Sequence, residues 1–345
     1  GAFGENLVVE GIDFAKLPVG TRFRCGEVVL ELTQIGKECH NGCAIFQKMG
    51  ECIMPREGVF TRVLKGGKVS VGDEMTVDKA MIFDTHAHYD DPAFDEDRES
   101  LLLKLQEEGI TRVVNVAASL KGCRDSLDLA KKYDFIYASI GVHPSDTGEL
   151  TDDDLAFMEK LCREEALQQG GKVVAVGEIG LDYYWNEPDR EIQKKWFEAQ
   201  MEMARRTHLP LIIHSRDAAK DTVDLMQEHH AGEIGGIVHC YSYSVELART
   251  FLDMGFYFGI GGVVTFGNGR KLAEVVKYLP LEKIVLETDS PYLSPVPNRG
   301  KRNSSLNLPY VAGKIAELKE ITPEQVMQVT FANAEQVYGF QKKKQ

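Results

Sequence analysis

The sequence predicts an α/β protein: a parallel (β/α)8 barrel of the TIM type over residues 80–345, preceded by a small, mostly β domain over residues 1–79. From Met81 onward, short β-type runs alternate with longer amphipathic runs, and eight β runs occupy about the 250 residues that this barrel usually needs. In addition, six histidine and carboxylate side chains stand at or just past the ends of five β runs. Because the carboxyl ends of barrel strands meet at one mouth, this pattern indicates a functional site there.

Residues 1–79 are predicted to form a small β-barrel or sandwich. The run Glu27–Thr33 is β-type, and turn signals surround it at Pro18-Val19-Gly20 and Gly66-Gly67. The segment is almost neutral, with 10 Lys and Arg against 11 Asp and Glu, whereas the rest of the chain carries 30 against 42. This change of charge places a domain boundary near residues 77–80.

Helical patterns separate most of the barrel strands. One helix is predicted over Asp95–Gly109, with leucines on one face and Gly109 at the stop position. Another opens at Thr151 with acidic residues at its positive end, and Thr322-Pro323-Glu324-Gln325 begins a final helix with an N-cap, a proline and a capping-box glutamine. The eight strands are predicted over Ile82–His88, Arg112–Ala117, Phe135–Gly141, Val173–Gly177, Leu211–Ile213, Gly236–Val238, Phe256–Ile260 and Ile284–Thr288.

Composition excludes several classes of function. A net charge of −13 argues against a broad basic surface that wraps nucleic acid, although it permits a nuclease whose metals neutralise one phosphate. No run approaches the roughly 20 apolar residues of a membrane helix, so no membrane partner is expected. The start of the chain lacks the pattern of a signal peptide. The odd count of seven cysteines suits reduced thiols, which predicts a cytoplasmic location.

The strand ends carry a predicted metal site. His86 and His88 are two residues apart on a strand, so their side chains point to the same side. Each of these side chains alone is more often structural, but together they form the ligand set of two divalent ions, if one carboxylate is shared. Imidazole and carboxylate ligands suit Zn, Mn or Fe, and carboxylates with water suit Mg. The predicted ligands are His86, His88, Glu178, His214, His239 and Asp289.

Two of these carboxylates are also predicted to be catalytic. Glu178 comes from the middle of the barrel order, so it is the natural bridge between two ions. Two such ions share a water and lower its pKa, and they stabilise the leaving oxygen of a displacement. Asp289, after the last strand, is placed both to bind a metal and to take the proton of that water.

Other side chains at the mouth have two interpretations each. The guanidinium of Arg216 either binds a phosphate through two parallel hydrogen bonds or forms an ion pair with Asp217 or Asp182. His143 contacts a phosphate or the leaving group, or makes a structural hydrogen bond. The basic loop Arg299–Arg302 grips a nucleic-acid backbone or is merely solvated. The aromatic run Tyr183–Trp185 stacks on a base or packs against a helix.

The cysteines of the first domain leave three interpretations open. Cys39-His40-x-x-Cys43, with Cys25 and Cys52 nearby, could bind zinc, although it lacks a paired Cys-x-x-Cys. One of these cysteines could instead carry sulfur as a reactive thiolate. Ordinary buried thiols are the interpretation that the spacing favours.

Residues 81–340 resemble the TatD family of metal-dependent deoxyribonucleases. The motifs are Asp84-Thr85-His86-Ala87-His88, Gly141-Val142-His143-Pro144, Gly177-Glu178-Ile179-Gly180-Leu181-Asp182-Tyr183, His214-Ser215-Arg216-Asp217-Ala218, His239-Cys240-Tyr241-Ser242, Glu287-Thr288-Asp289-Ser290-Pro291-Tyr292 and Pro295–Asn303. The resemblance implies a barrel of the metal-dependent hydrolase kind that hydrolyses DNA phosphodiester bonds from the 3′ end. It also implies that one metal is bound by His86, His88, Glu178 and Asp289, and the other by Glu178, His214 and His239. Tyr243 departs from the family, which often has a small residue there.

Residues 1–79 resemble the C-terminal half of a MOSC domain, the module of molybdenum-cofactor sulfurases. The motifs that carry this resemblance are Leu17–Thr21, Gln34–Cys39, Cys52–Phe60 and Gly66–Asp73. The N-terminal half of that family has no counterpart here, so a partial domain is expected.

The sequence therefore predicts a divalent-metal-dependent phosphodiester hydrolase, a TatD-type 3′–5′ exodeoxyribonuclease with DNA or another phosphodiester as its substrate. Two alternatives remain. The same site would suit an amidase, esterase or lactonase acting on a small molecule, because one barrel hosts many chemistries. Alternatively, the MOSC-like domain carries the function as a sulfur carrier or molybdenum-cofactor protein. The sequence predicts no oligomeric state.

Overall fold

The computed structural model describes residues 6–14, 17, 21–36, 58–78, 81–185 and 187–340. Contacts within the chain divide it into two units, Gly1–Ala80 and Met81–Gln345. The described part of the smaller unit is one antiparallel sheet of four strands, in which the third and fourth strands along the chain lie at the edges and the second lies beside the third. Its strands are β1 (Arg22–Cys25), β2 (Val28–Ile35), β3 (Val59–Lys65) and β4 (Thr76–Asp78).

The small sheet buries one face of its hairpin. Val28, Leu30 and Leu32 alternate along β2 and pack with Phe23 of β1, as expected for a strand with one face in the core. Gly26, in the turn between β1 and β2, has a φ of +57°, which costs glycine nothing. The mostly β character predicted for this domain is therefore confirmed for the described residues.

The larger unit is a parallel sheet of eight strands in sequential order, with helices between the strands. This confirms the predicted (β/α)8 fold. Strand lengths range from three to ten residues, and β8 is the longest. The strands are β5 (Ile82–Ala87), β6 (Ile110–Asn115), β7 (Ile136–Ile140), β8 (Val173–Asp182), β9 (Leu211–Arg216), β10 (Gly236–Val238), β11 (Tyr257–Ile260) and β12 (Ile284–Leu286).

The helices begin where the sequence places their caps. Thr151 and Asp154 form a capping box at the start of α3 (Asp152–Glu164), and Thr322 and Gln325 form another at the start of α9 (Pro323–Val337). The helix predicted over Asp95–Gly109 spans only Arg98–Glu107 in the structure, and a 3-10 turn at Pro92–Phe94 precedes it. The helices are α1 (Arg98–Glu107), α2 (Leu120–Lys132), α3 (Asp152–Glu164), α4 (Arg190–Thr207), α5 (Ala219–Glu228), α6 (Val245–Asp253), α7 (Arg270–Tyr278), α8 (Leu308–Lys319) and α9 (Pro323–Val337).

The first barrel strand meets the chain that leaves the last one. The N–H of Asp289 donates to the carbonyl of His86 at 2.8 Å, and the N–H of His88 donates to the carbonyl of Ser290 at 2.8 Å. These bonds close the barrel. They also bring the first predicted ligands in the sequence, His86 and His88, to the same mouth as the last one, Asp289. Among the described residues, no helix has the length and apolar character needed to cross a bilayer. The predicted cytoplasmic location stays a prediction.

Candidate metal centre

The predicted ligands lie together at the carboxyl ends of the strands, but not all of them follow their strands. Glu178 and His214 were expected just past strand ends; they lie inside β8 and β9. The reason is that these two strands stay paired as far as Asp182 and Arg216, beyond the apolar runs that marked them in the sequence. Their side chains therefore project from rigid strands, which fixes the geometry of the site.

Four side chains converge at distances that suit the binding of a cation. The Nε2 atom of His86 lies 3.2 Å from Nε2 of His88, 3.4 Å from Oε2 of Glu178 and 3.7 Å from Oδ1 of Asp289. Nε2 of His88 lies 3.3 Å from the Asp289 oxygen and 3.9 Å from the Glu178 oxygen. Two ligands that each lie about 2.1 Å from one ion are at most about 4.2 Å apart. All five distances meet this limit, and the donor atoms form two groups that each fit a divalent metal: His86 with His88 and Asp289, and His86 with Glu178 and His239.

Hydrogen bonds orient two of the histidine rings. His88 donates its Nδ1 proton to the carbonyl of Val116 at 2.8 Å, and His239 donates its Nδ1 proton to Oε2 of Glu287 at 3.0 Å. Burial would lower the pKa of both rings, but the neighbouring carboxylates raise it to about 9 for His88 and about 10 for His239, so without a metal each ring also carries a proton on Nε2. A metal that binds there must displace this proton from the Nε2 atom that faces the cluster. Nε2 of His239 lies 3.8 Å from Oε1 of Glu178. Nδ1 of His86 is buried and, among the described residues, has no hydrogen-bond partner.

Burial and neighbouring charge set the protonation of the carboxylates. Burial alone would raise the pKa of Glu178, but the adjacent His86 and His239 hold it well below its usual range. Burial likewise opposes ionisation of Asp289, and its hydrogen bond with His88 outweighs that effect and lowers the pKa. Both carboxylates are therefore anionic near neutral pH, which is the form that binds a cation.

The second predicted ligand set is less tightly assembled. Nδ1 of His214 lies 2.8 Å from Oε1 of Glu178, the same oxygen that faces His239. However, the rings of His214 and His239 are 6.5 Å apart between centroids. His214 groups instead with His143 and Asp182, because its Nε2 atom lies 3.0 Å from Oδ2 of Asp182. Glu178 is thus the shared neighbour of both histidines, and its role as a bridge between two ions stays a prediction.

His143 lies at the site but is oriented as a proton donor. Its Nδ1 atom accepts a hydrogen bond from the N–H of Ser145 at 3.1 Å. The proton of the neutral ring is therefore on Nε2, which lies 3.9 Å from Oε1 of Glu178. Burial, together with the nearby His214, lowers the pKa of His143 to about 4, so the ring is neutral at pH 7. A ring with this tautomer offers the site an N–H and not a metal-binding lone pair.

Three buried carboxylates of the site were missed in the sequence. Asp84 accepts hydrogen bonds from Thr288, Asp182 holds His214, and Glu287 holds His239. The period of two along a strand could have found Asp84 and Glu287, because each stands two residues before a predicted ligand and so points to the same side. Asp182 and Glu287 fix ligand rings, as carboxylates behind metal-binding histidines commonly do, whereas Asp84 holds the backbone N–H of His86.

Arg216 is available at the mouth of the barrel. Its guanidinium lies 3.8 Å from the ring centroid of Tyr184, and the residue is exposed. Within the described parts of the chain, no carboxylate lies within 4 Å of it, so the expected alternative of an ion pair is not found. By contrast, Arg302 of the basic loop is engaged, because its fork binds Asp97 at 2.7 and 2.6 Å.

The cysteines of the first unit cannot be placed in the same way. Cys39, His40, Cys43 and Cys52 lie outside the described residues, so zinc binding and sulfur transfer stay predictions there. Cys25 is a buried free thiol.

Comparisons with known proteins agree with this architecture. Residues 83–339 match the family model for TatD related DNase, and residues 1–76 match the model for the MOSC domain. The chain is 43% identical over 258 residues to the uncharacterized metal-dependent hydrolase YabD of Bacillus subtilis, covering 75% of this chain and 99% of that protein. It is 36% identical to the uncharacterized metal-dependent hydrolase YcfH of Escherichia coli, covering 73% and 93%.

A solved structure shows the same fold. The crystal structure of YjjV, a TatD homolog from Escherichia coli, superposes with a TM-score of 0.70 at 29% identity, covering 75% of this chain and 98% of that one. The family match over residues 83–339 covers nearly the whole of the larger unit. The chain therefore belongs to the TatD-related DNase family of metal-dependent hydrolases and carries a MOSC domain match ahead of its barrel.

Proposed function

We propose that this protein hydrolyses phosphodiester bonds of DNA and removes nucleotides from the 3′ end of a strand. The observation that carries the proposal is the position of Arg216, an exposed cation without a carboxylate partner among the described residues, on the strand that also bears His214. A guanidinium in this position is suited to bind a phosphate by its fork. The family model, whose description names a DNase, supports the same substrate class.

The cluster supplies the residues for hydrolysis. His86, His88, Glu178 and Asp289 would hold one divalent ion, and Glu178 would share a second with His214 and His239. When bound, such ions supply positive charge that activates water and stabilises a phosphoryl transition state.

Asp289 is the carboxylate best placed to move a proton. Its side chain is 20% exposed, against 6% for Glu178, so it is the cluster carboxylate that solvent reaches most easily. Asp289 therefore takes the proton of the attacking water, which requires hydrogen-bond reach to it. Glu178, buried among five histidines, keeps its charge and orients the ligands.

His143 contributes a hydrogen bond to the phosphate from which the leaving group departs. Its Nε2 proton is directed toward the cluster because Ser145 occupies Nδ1. A neutral N–H in this position donates to a phosphate oxygen as negative charge develops there.

The test is digestion of single-stranded DNA labelled at its 5′ end, with Mg²⁺ or Mn²⁺ against a chelator. Removal of nucleotides from the 3′ end gives a ladder of shortened labelled strands, whereas removal from the 5′ end releases labelled mononucleotide at once. We expect a metal-dependent ladder from the wild type and none from His86→Ala. His230→Asn is the matched control, because His230 is exposed, lies outside the cluster and has a φ of 47°, which asparagine tolerates.

Two results would contradict the proposal. Full activity of His86→Ala would show that the cluster is not the active site. No cleavage by the wild type with any divalent metal would favour the alternative substrate class, small amides, esters or lactones, which can be assayed in the same metal series.

A further inference from the structure

Two exposed aromatic rings stand next to the metal centre. Tyr184 is 55% exposed and Trp185 is 65% exposed, and their ring centroids are 5.0 Å apart at 89°. Tyr183, the residue before them, is different: its hydroxyl donates to Asp221 at 2.6 Å, and Arg190 lies 4.2 Å from its ring. Tyr183 is thus anchored to the protein, whereas the next two rings face solvent at the mouth of the barrel.

One carboxylate fixes this pair relative to the cluster. Oδ1 of Asp182 accepts hydrogen bonds from the backbone N–H groups of Tyr184 and Trp185, at 3.0 and 3.3 Å. Oδ2 of the same residue lies 3.0 Å from Nε2 of His214. The carboxylate is buried, so the backbone below the two rings is held rigidly against a residue of the cluster.

Arg216 completes the surface with a positive charge. Its guanidinium covers one face of the Tyr184 ring at 3.8 Å, which leaves Trp185 as the more open ring. The turn that carries Arg216 is held from both sides by Tyr243: the tyrosine hydroxyl lies 2.9 Å from Oγ of Ser215 and accepts the N–H of Ala218 at 3.3 Å. Aromatic faces next to a held arginine match a base and the phosphate attached to it.

We propose that Trp185, Tyr184 and Arg216 form a nucleotide-recognition subsite, in which an unpaired nucleobase stacks on Trp185 and Arg216 binds an adjoining phosphate. This inference rests on the proposed function and specifies how its substrate is held. Stacking does not depend on which base is present, because every base has a π face. The subsite therefore recognises the presence of a base and not its identity.

Binding can be measured without hydrolysis, in the presence of a chelator. The chain has two tryptophans, and Trp196 is only 3% exposed. A fluorescence change that is present in the wild type and absent in Trp185→Phe therefore reports on Trp185. The probes are a short single-stranded oligodeoxyadenylate and an abasic oligonucleotide of the same length. We expect the oligodeoxyadenylate to quench Trp185 and to bind about tenfold more tightly than the abasic strand.

Variants then assign the preference to the subsite. Trp185→Ala should reduce the preference for the base-bearing strand by about tenfold, as measured by fluorescence anisotropy of labelled strands. Arg216→Ala should weaken both strands to a similar degree, because both carry phosphates. The matched control is Tyr278→Ala. Tyr278, the last residue of α7, is also exposed, and its ring lies near the guanidinium of Arg249.

The outcomes separate this inference from the proposed function. Absence of quenching, or equal affinity for the abasic strand, would overturn the subsite even if the wild type digests DNA. Base-dependent quenching that Trp185→Phe abolishes would support the subsite even if digestion fails, and only the assigned reaction would then be wrong. Retention of the full base preference by Trp185→Ala would also overturn it.

Discussion

The carboxylate of Asp84 accepts hydrogen bonds from both the backbone N–H and the hydroxyl of Thr288, at 3.1 and 2.7 Å. Asp84 lies in the first barrel strand and Thr288 just past the last, so the pair joins the two ends of the sheet directly beside the metal centre. The same carboxylate accepts from the hydroxyl of Ser305 at 2.6 Å and from the N–H of His86 at 3.2 Å. It is a buried acceptor with four donors from three parts of the chain.

Asp84→Ala should therefore destabilise the barrel strongly. Each buried donor left without an acceptor costs about 1–3 kcal/mol. The hydroxyls of Thr288 and Ser305 have other partners, but the two backbone N–H groups lose their acceptor. We therefore expect a loss of about 2–6 kcal/mol in the free energy of unfolding, measured with urea. Asp84→Asn keeps one oxygen and should lose less stability than Asp84→Ala, because the hydroxyls of Thr288 and Ser305 can turn to accept hydrogen bonds from its amide. Losses below about 0.5 kcal/mol for both variants, the usual range for surface changes, would show that this carboxylate does not hold the barrel closed.

Glu287→Gln should weaken metal binding while leaving the fold intact. Oε1 of Glu287 accepts from the N–H of Cys240 at 2.7 Å, and Oε2 accepts from Nδ1 of His239. A glutamine can serve only one of these donors, and its amide then faces His239 and favours the tautomer with the proton on Nε2. We expect a 10- to 100-fold loss of affinity, about the effect of losing such a partner.

The measurement for Glu287→Gln is titration of metal-free protein with Mn²⁺ and Zn²⁺ in competition with a chelator. The control is Glu282→Gln. Glu282 is an exposed glutamate just before β12, the strand that Glu287 follows. An unchanged affinity for both metals would mean that Glu287 does not orient His239.

Gly259→Ala should disturb the same carboxylate from the opposite side. A Cβ atom at Gly259 would lie 1.9 Å from Oε2 of Glu287, far inside van der Waals contact. Glu287 must then move, which we expect to cost about 1–3 kcal/mol of stability and to weaken metal binding as Glu287→Gln does. Gly313→Ala is the matched control: it lies in α8 with nothing within 4 Å of its Cβ position, and it should stabilise by up to about 1 kcal/mol. Equal stability of the two variants in thermal unfolding would contradict this account.

The sequence predicts those parts of the structure that depend on local patterns. Alternating β and helical runs predict the barrel, and Thr322 with Gln325 marks a helix start, because caps are made between residues three apart. Strand-end spacing also brings His86 and Asp289 to one mouth. Contacts between distant residues are different: Arg302 binds Asp97, more than 200 positions earlier. Nothing near either residue indicates that pairing, so the sequence left Arg302 available to a substrate.

Tyr243→Phe should loosen the turn that carries Arg216. The variant keeps the ring and loses the hydroxyl that holds Ser215 and Ala218. Two lost hydrogen bonds of about 1 kcal/mol each should raise KM for single-stranded DNA by up to roughly 30-fold and leave kcat near its wild-type value, because the metal ligands are untouched. Steady-state kinetics would check this, with Tyr278→Phe as the control. A fall in kcat at constant KM would place Tyr243 in the chemical step instead.

Substitutions at Asp182 should separate metal binding from base recognition, because its two oxygens have different partners. Asp182→Asn can keep Oδ1 under the backbone of Tyr184 and Trp185 while its amide replaces the oxygen that faces His214. We therefore expect weaker Mn²⁺ binding, by about tenfold or more, with base-dependent quenching of Trp185 preserved.

Asp182→Ala removes both oxygens and should lose both properties. Asp221→Asn is the control, since Asp221 binds Tyr183 and Lys194 and, among the described residues, has no hydrogen bond or ion pair with the cluster. If Asp182→Asn lost metal affinity and base preference together, the two oxygens would not act independently, and the rigid link between the aromatic pair and the cluster would need another explanation. If it lost neither, Asp182 would be no more than a loop anchor, and His214 would be oriented by Glu178 alone.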